Sequence, residues 1–123
     1  MVEYIEPAQA IAVVEKLGLH VRDEGLLFSA LARPAASMFG TDAYATIEQK
    51  AAALLSSLSQ NHPLFDGNKR LSLVLTLIFL RLNGFELNFS DDDAFELVLS
   101  AAQGLVTVDE LAHVIAAGIH AEP

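Results

Sequence analysis

Asn68-Lys69-Arg70-Leu71-Ser72-Leu73-Val74-Leu75-Thr76-Leu77-Ile78-Phe79-Leu80-Arg81-Leu82-Asn83-Gly84 has apolar side chains on nearly every side of a helical wheel, at Leu71, Leu73, Val74, Leu75, Leu77, Ile78, Phe79 and Leu82. A helix apolar all round is expected to be enclosed by other elements. Gly84 supplies the left-handed residue that ends it. The apolar run Leu71 to Leu82 spans twelve residues and is interrupted by Ser72, Thr76 and Arg81, against the roughly 20 that a bilayer requires. It predicts a core helix and implies no membrane span.

Helical patterns flank this segment on both sides. Upstream, Pro7 suits a first turn, Ile11, Val14 and Leu17 recur at helical spacing, and Gly18 can end the helix. Asp23 can cap a second helix through Leu27, Phe28 and Leu31, which Pro34 closes near Arg33. A short helix is expected to follow as far as Phe39, with Gly40 to Ala45 as a loop. Thr46 and Gln49 match a reciprocal capping box before Ala51, Leu54, Leu55 and Leu58, in a helix that runs to Asn61. Downstream, Phe85 to Phe89 reads as extended, Ser90 with Asp91, Asp92 and Asp93 caps a helix that reaches Gly104, and Thr107 with Glu110 caps a last one ending near Gly118. No two alternating segments can pair into a substantial sheet. The chain is expected to be all-α: a compact bundle of about six helices around one buried central helix, taken as Asn68 to Asn83, in a single domain over residues 1–123.

Composition limits the function. A length of 123 residues with 53% hydrophobic and 19% charged residues supports one globular core and excludes a disordered chain. The formal charge of −9 repels phosphate backbones, which disfavours direct nucleic-acid binding. With no cysteine there is neither a disulfide framework nor a thiolate metal site, and Met1 to Pro7 carries acids rather than a basic leader, so a cytoplasmic location is expected.

The chemistry concentrates in His62-Pro63-Leu64-Phe65-Asp66-Gly67-Asn68-Lys69-Arg70, where a loop opens into the central helix. A helix N-terminus offers unpaired N–H groups and about half a positive charge, and so binds anions. Lys69 and Arg70 oppose that dipole by about 0.3–1 kcal/mol each when exposed, so an anion is expected to compensate. A polyphosphate fits: Gly67 allows close backbone approach, Arg70 can hold two oxygens with its planar fork, and Lys69 adds a point charge. Asp66 is a hard oxygen ligand suited to magnesium held between a carboxylate and substrate phosphates. His62 has an imidazole that can take a proton from an attacking hydroxyl. The set points to phosphoryl or nucleotidyl transfer.

This segment resembles the signature of the Fic/Doc family, histidine-proline-phenylalanine-x-x-glycine-asparagine-glycine/lysine-arginine, and is most similar to its death-on-curing (Doc) branch, which carries an aspartate and a lysine where Asp66 and Lys69 stand. The likeness continues through Phe79-Leu80-Arg81-Leu82-Asn83-Gly84. One position departs: Leu64 stands where the family usually has a core-directed phenylalanine. The resemblance implies His62 as general base and Asp66 as magnesium ligand. It implies an anion-binding turn made by Gly67, Asn68, Lys69 and Arg70, with Lys69 and Arg70 acting on the transferred group.

The resemblance further implies that ATP and Mg²⁺ are used, and that the chain is a bacterial toxin acting as a protein Ser/Thr kinase on translation elongation factor Tu, so halting translation. Two alternatives stand beside it. Most Fic relatives carry glycine at the position of Lys69 and transfer AMP, and a non-catalytic nucleotide-binding module would keep the fold. Inhibitory helices of the family read Ser/Thr-x-x-x-Glu-Gly/Asn. Glu24-Gly25 is the only near match, but His20 stands in the Ser/Thr position, so an external Phd-like antitoxin is the expected partner. Elsewhere, His20, His113 and His120 lack metal-ligand spacing, the run Asp91 to Asp93 is explained as a helix start, and the usual glycine-rich phosphate loops are missing.

Overall fold

A computed structural model describes residues 1–122. Six helices, α1 (Pro7–Lys16), α2 (Glu24–Ala32), α3 (Ile47–Asn61), α4 (Asn68–Leu82), α5 (Asp91–Gln103) and α6 (Val108–Gly118), account for most of it. The expectation of a mostly helical bundle is met. Residue 123, part of the expected domain, lies outside the described residues. Among the described residues no helix is long and apolar enough to cross a membrane.

The starts of α2, α3, α5 and α6 form where side-chain oxygens take up the free amides of a first turn. Asp23 accepts from the Leu26 N–H at 3.1 Å, Ser90 from the Asp93 N–H at 3.1 Å, and Thr46 from the Gln49 N–H at 3.1 Å. At α6, Thr107 Oγ1 accepts from the Glu110 N–H while Glu110 Oε1 accepts from the Thr107 N–H. The Thr107 backbone N–H, followed by its side chain, holds the Glu110 carboxyl below its usual range. Helices α1, α3, α4 and α5 end at or beside a residue in the left-handed region, Gly18, His62, Gly84 and Gly104, the last with φ of 68°.

The helix that is enclosed is α3 rather than the Asn68–Asn83 segment. It packs against α2, α4, α5 and α6, and every residue from Lys50 to Ser59 is buried. Alanines and serines at 51, 52, 53, 56, 57 and 59 keep its surface slim, so neighbours close on all sides. Helix α4 buries Leu71, Ser72, Leu75, Thr76, Phe79 and Leu80 on one face but leaves Leu77 38% and Leu82 41% exposed. Its bulky leucines provide more apolar surface than its neighbours cover, a common outcome at protein surfaces.

A second correction concerns the short helix expected up to Phe39. The chain instead makes a 3₁₀ turn at Arg33–Ala35 and a small hairpin, β1 (Ser37–Met38) antiparallel to β2 (Thr41–Asp42). Phe39 and Gly40 both have positive φ, 52° and 78°, as a tight hairpin turn requires. The hairpin is tied down from below by the Lys50 ammonium, 1% exposed, which donates to the Pro34 carbonyl and to Asp42 Oδ2, each at 3.3 Å, and lies 5.6 Å from the Tyr4 ring centre. A buried cation needs such partners. The expected extended piece after α4 forms β3 (Phe85–Leu87), which pairs with β4 (Ile119–Ala121), too short a ladder to change the fold class.

Candidate functional site

Helices α3 and α4 meet at the segment His62 to Gly67. His62 caps the C-terminus of α3 in the left-handed region, φ 51° and ψ 57°, a conformation that strains a non-glycine residue by roughly 1–3 kcal/mol. Leu64 anchors the turn, 1% exposed and part of the core, whereas Phe65 beside it is 72% exposed. The buried role expected at the departing position is therefore filled by the leucine. Burial of such a side chain contributes about 1.5–3 kcal/mol to holding the loop. Asn68 closes the turn from within: its Oδ1 accepts from the Leu64 N–H at 2.9 Å and its Nδ2 donates to the Leu64 carbonyl at 3.1 Å.

Gly67 precedes α4 with φ of 84°, a conformation that demands glycine, and a Cβ there would lie 2.7 Å from Leu19 Cδ2, so the Leu19 side chain would also have to shift. It brings no side-chain cap, whereas α2, α3, α5 and α6 each have one. The first intrahelical bond runs from the Leu71 N–H to the Gly67 carbonyl at 2.9 Å. The amides of Asn68, Lys69 and Arg70 thus belong to the unpartnered first turn, directed out of the helix end.

A second segment, Leu19 to Asp23, forms the outer wall of the turn, and the sequence reading did not identify it. The Arg22 and Asp23 amides donate to the Pro63 carbonyl at 2.8 and 3.1 Å, and the Phe65 N–H donates to the His20 carbonyl at 3.2 Å. Val21 and Leu64 form an isolated antiparallel bridge. The Arg22 guanidinium donates twice to the His62 carbonyl, at 3.1 Å from Nε and 2.6 Å from Nη2. No local signal links positions forty residues apart.

His62, Asp66, Lys69 and Arg70 are all exposed. Among the described residues, Asp66, Lys69 and Arg70 form no salt bridge, so neither cation at the start of α4 has a carboxylate directly paired with it. Lys69 and Arg70 also line a groove of about 240 Å³ between α4 and α5, with Leu73, Ala94 and Phe95 along its apolar wall and Asp91 at the start of α5 as its carboxylate. His62 and Asp66 lie outside that groove, on the loop. A larger cavity, about 750 Å³ between α5 and α6, touches none of the motif residues. The candidate site is therefore chosen by the chemistry of the motif and not by cavity size.

One Asp66 oxygen accepts from the Gly67 N–H at 2.8 Å, and a carboxylate has acceptor capacity beyond that. Among the described residues no three acidic or histidine side chains converge as a metal cage. A lone exposed carboxylate fits magnesium, which binds one or two carboxylates together with substrate phosphates and retains water.

An uncapped helix end, two unpaired cations and a strained histidine on the preceding turn coincide with a sequence match. The profile of the Fic/DOC family covers residues 3–80, from α1 through almost all of α4. The chain belongs to the Fic/Doc family. It is 46% identical over 96 residues to a curated protein of Mycolicibacterium smegmatis named Toxin Doc, an alignment covering 76% of this chain and 74% of that protein.

Proposed function

We propose that this Fic/Doc protein is the toxin of a toxin–antitoxin pair and a Ser/Thr protein kinase that transfers the γ-phosphate of ATP. The observation that carries the reading is the uncapped N-terminus of α4, whose first turn holds the amides of Asn68, Lys69 and Arg70 and two cationic side chains, Lys69 and Arg70, that form no salt bridge. The relative named Toxin Doc supports the toxin assignment. The whole chain works as one domain, a reading supported by the continuous apolar core drawn from all six helices.

In the transfer, His62 accepts the proton of a target hydroxyl as that oxygen bonds to the γ-phosphorus. The bond from γ-phosphorus to the bridging oxygen breaks, and ADP leaves with its β-phosphate on the helix end. Gly67 lets the phosphates approach the backbone, the first-turn amides and Lys69 offset their charge, and the Arg70 fork orients two oxygens. Asp66 would hold Mg²⁺, which when bound neutralises charge on the phosphate oxygens. By the family resemblance the acceptor is elongation factor Tu, the inhibitor is a Phd-like antitoxin, and the reaction takes place in the bacterial cytoplasm.

Purified chain, ATP, magnesium and elongation factor Tu, followed by intact-mass measurement of the factor, test the reading. Gain of one phosphoryl group is the expected result. Gain of AMP would replace it with adenylyl transfer, and an unmodified factor with a folded chain that binds ATP would leave a nucleotide-binding module.

A further inference from the structure

We infer that Arg22 is a positioning residue for the proposed transfer: its guanidinium fixes the backbone of His62 and thereby aims the imidazole. The inference rests on the role of His62 given above, but the geometry behind it is independent of the reaction. Both Nε and Nη2 donate to the single His62 carbonyl oxygen, at 3.1 and 2.6 Å. His62 holds φ of 51°, a region that side chains other than glycine seldom occupy, so something must stabilise it there. The neighbouring amides of Arg22 and Asp23 hold the next carbonyl, that of Pro63, at 2.8 and 3.1 Å. Two successive carbonyls of the turn are therefore clamped from one strand-like segment. The imidazole leaves the chain from the clamped residue itself.

A bare cation near the end of α3 would also favour the helix dipole, so charge and aim must be separated. Lysine retains the charge but not the planar fork that presents two donors to one acceptor. Arg22 is exposed and contributes no side chain to the core, so its replacement leaves the packing intact.

The test uses the full chain and the variants Arg22→Gln and Arg22→Lys. With MgATP and elongation factor Tu, Arg22→Gln is expected to lower kcat roughly 10- to 100-fold while KM for ATP changes less than about twofold, because a base out of line loses near-attack geometry and not substrate binding. Arg22→Lys should recover only part of kcat. A readout that needs no turnover accompanies this: the His62 ring carbon–proton resonance should move in Arg22→Gln, while those of His20, His113 and His120 and the Leu64 methyl signals stay in place. An unmoved His62 resonance would overturn the inference, even if the wild-type chain proved inactive. So would wild-type kcat in Arg22→Gln, or full recovery in Arg22→Lys, which would reduce the role to charge alone. If the wild type transfers nothing yet the His62 resonance moves as expected, the clamp stands and the kinase reading fails.

Discussion

Replacing Asn68 with alanine removes the two hydrogen bonds that close the turn on itself. The Leu64 N–H and carbonyl, at 2.9 and 3.1 Å from the Asn68 amide, lose their partners in a part-buried setting. A net hydrogen bond contributes about 1 kcal/mol, and a buried group left unpaired costs about 1–3 kcal/mol, so the pair is expected to amount to about 2–4 kcal/mol. Alanine returns at most about 0.7 kcal/mol through helix propensity, and less in a first turn. For a chain of this size each kcal/mol corresponds to roughly 3–5 °C, so the net loss of about 1.3–4 kcal/mol predicts a fall in melting temperature of about 4–20 °C. Scanning calorimetry supported by urea titration at unchanged slope measures it. Asn68→Asp retains an acceptor for the Leu64 N–H and adds a favourable charge at the helix start, and should fall between the two. A melting temperature for Asn68→Ala within roughly 1 °C of wild type would refute the reasoning, since water would then be replacing both bonds.

Four further outcomes are expected. His62→Ala should lower kcat by roughly 10²–10⁴ while calorimetric affinity for MgATP is retained, and parallel loss of affinity would place His62 in binding instead. Gly67→Ala, with φ of 84° and Leu19 Cδ2 2.7 Å from the new methyl, should abolish MgATP binding; adding Leu19→Ala relieves the contact but not the conformation, so binding should return only in part. Leu64→Ala should cost about 2–5 kcal/mol in urea titration and Leu64→Phe about 1–3 kcal/mol through overpacking, whereas a phenylalanine variant more stable than wild type would show spare room at that site. The Glu110 carboxyl is held below the usual carboxylate range by the Thr107 backbone N–H and side chain, so its contribution is present above the unfolded value and disappears as pH falls through the lower folded one. The melting difference between wild type and Glu110→Gln should accordingly shrink in acid, and a constant difference would contradict the assignment.

The elements whose boundaries rest on short-range chemistry were legible in advance. Thr46 with Gln49, Thr107 with Glu110, Ser90 and Asp23 cap the helices expected of them, and Gly84 and Gly104 lie just past helix ends at positive φ. The motif could be placed at a helix start for the same reason. What the sequence hid depends on distant contacts. Ala35-Ala36-Ser37-Met38-Phe39 permits a helix locally, but the buried Lys50 ammonium selects a hairpin by binding both Pro34 and Asp42. The enclosure of α3 follows from small residues that score poorly as hydrophobic, whereas the leucines of α4 look more buried than they are. The hold of Arg22 on His62 has no short-range signature, because it is made only when α2 folds back along α3.

The most direct measurement is a crystal structure of the chain with magnesium and a non-hydrolysable ATP analogue. The account predicts phosphates on the amides of Asn68, Lys69 and Arg70, magnesium on Asp66, and the γ-phosphoryl group turned toward the His62 imidazole. Phosphates bound elsewhere, or the α-phosphate facing His62 in place of the γ, would contradict it.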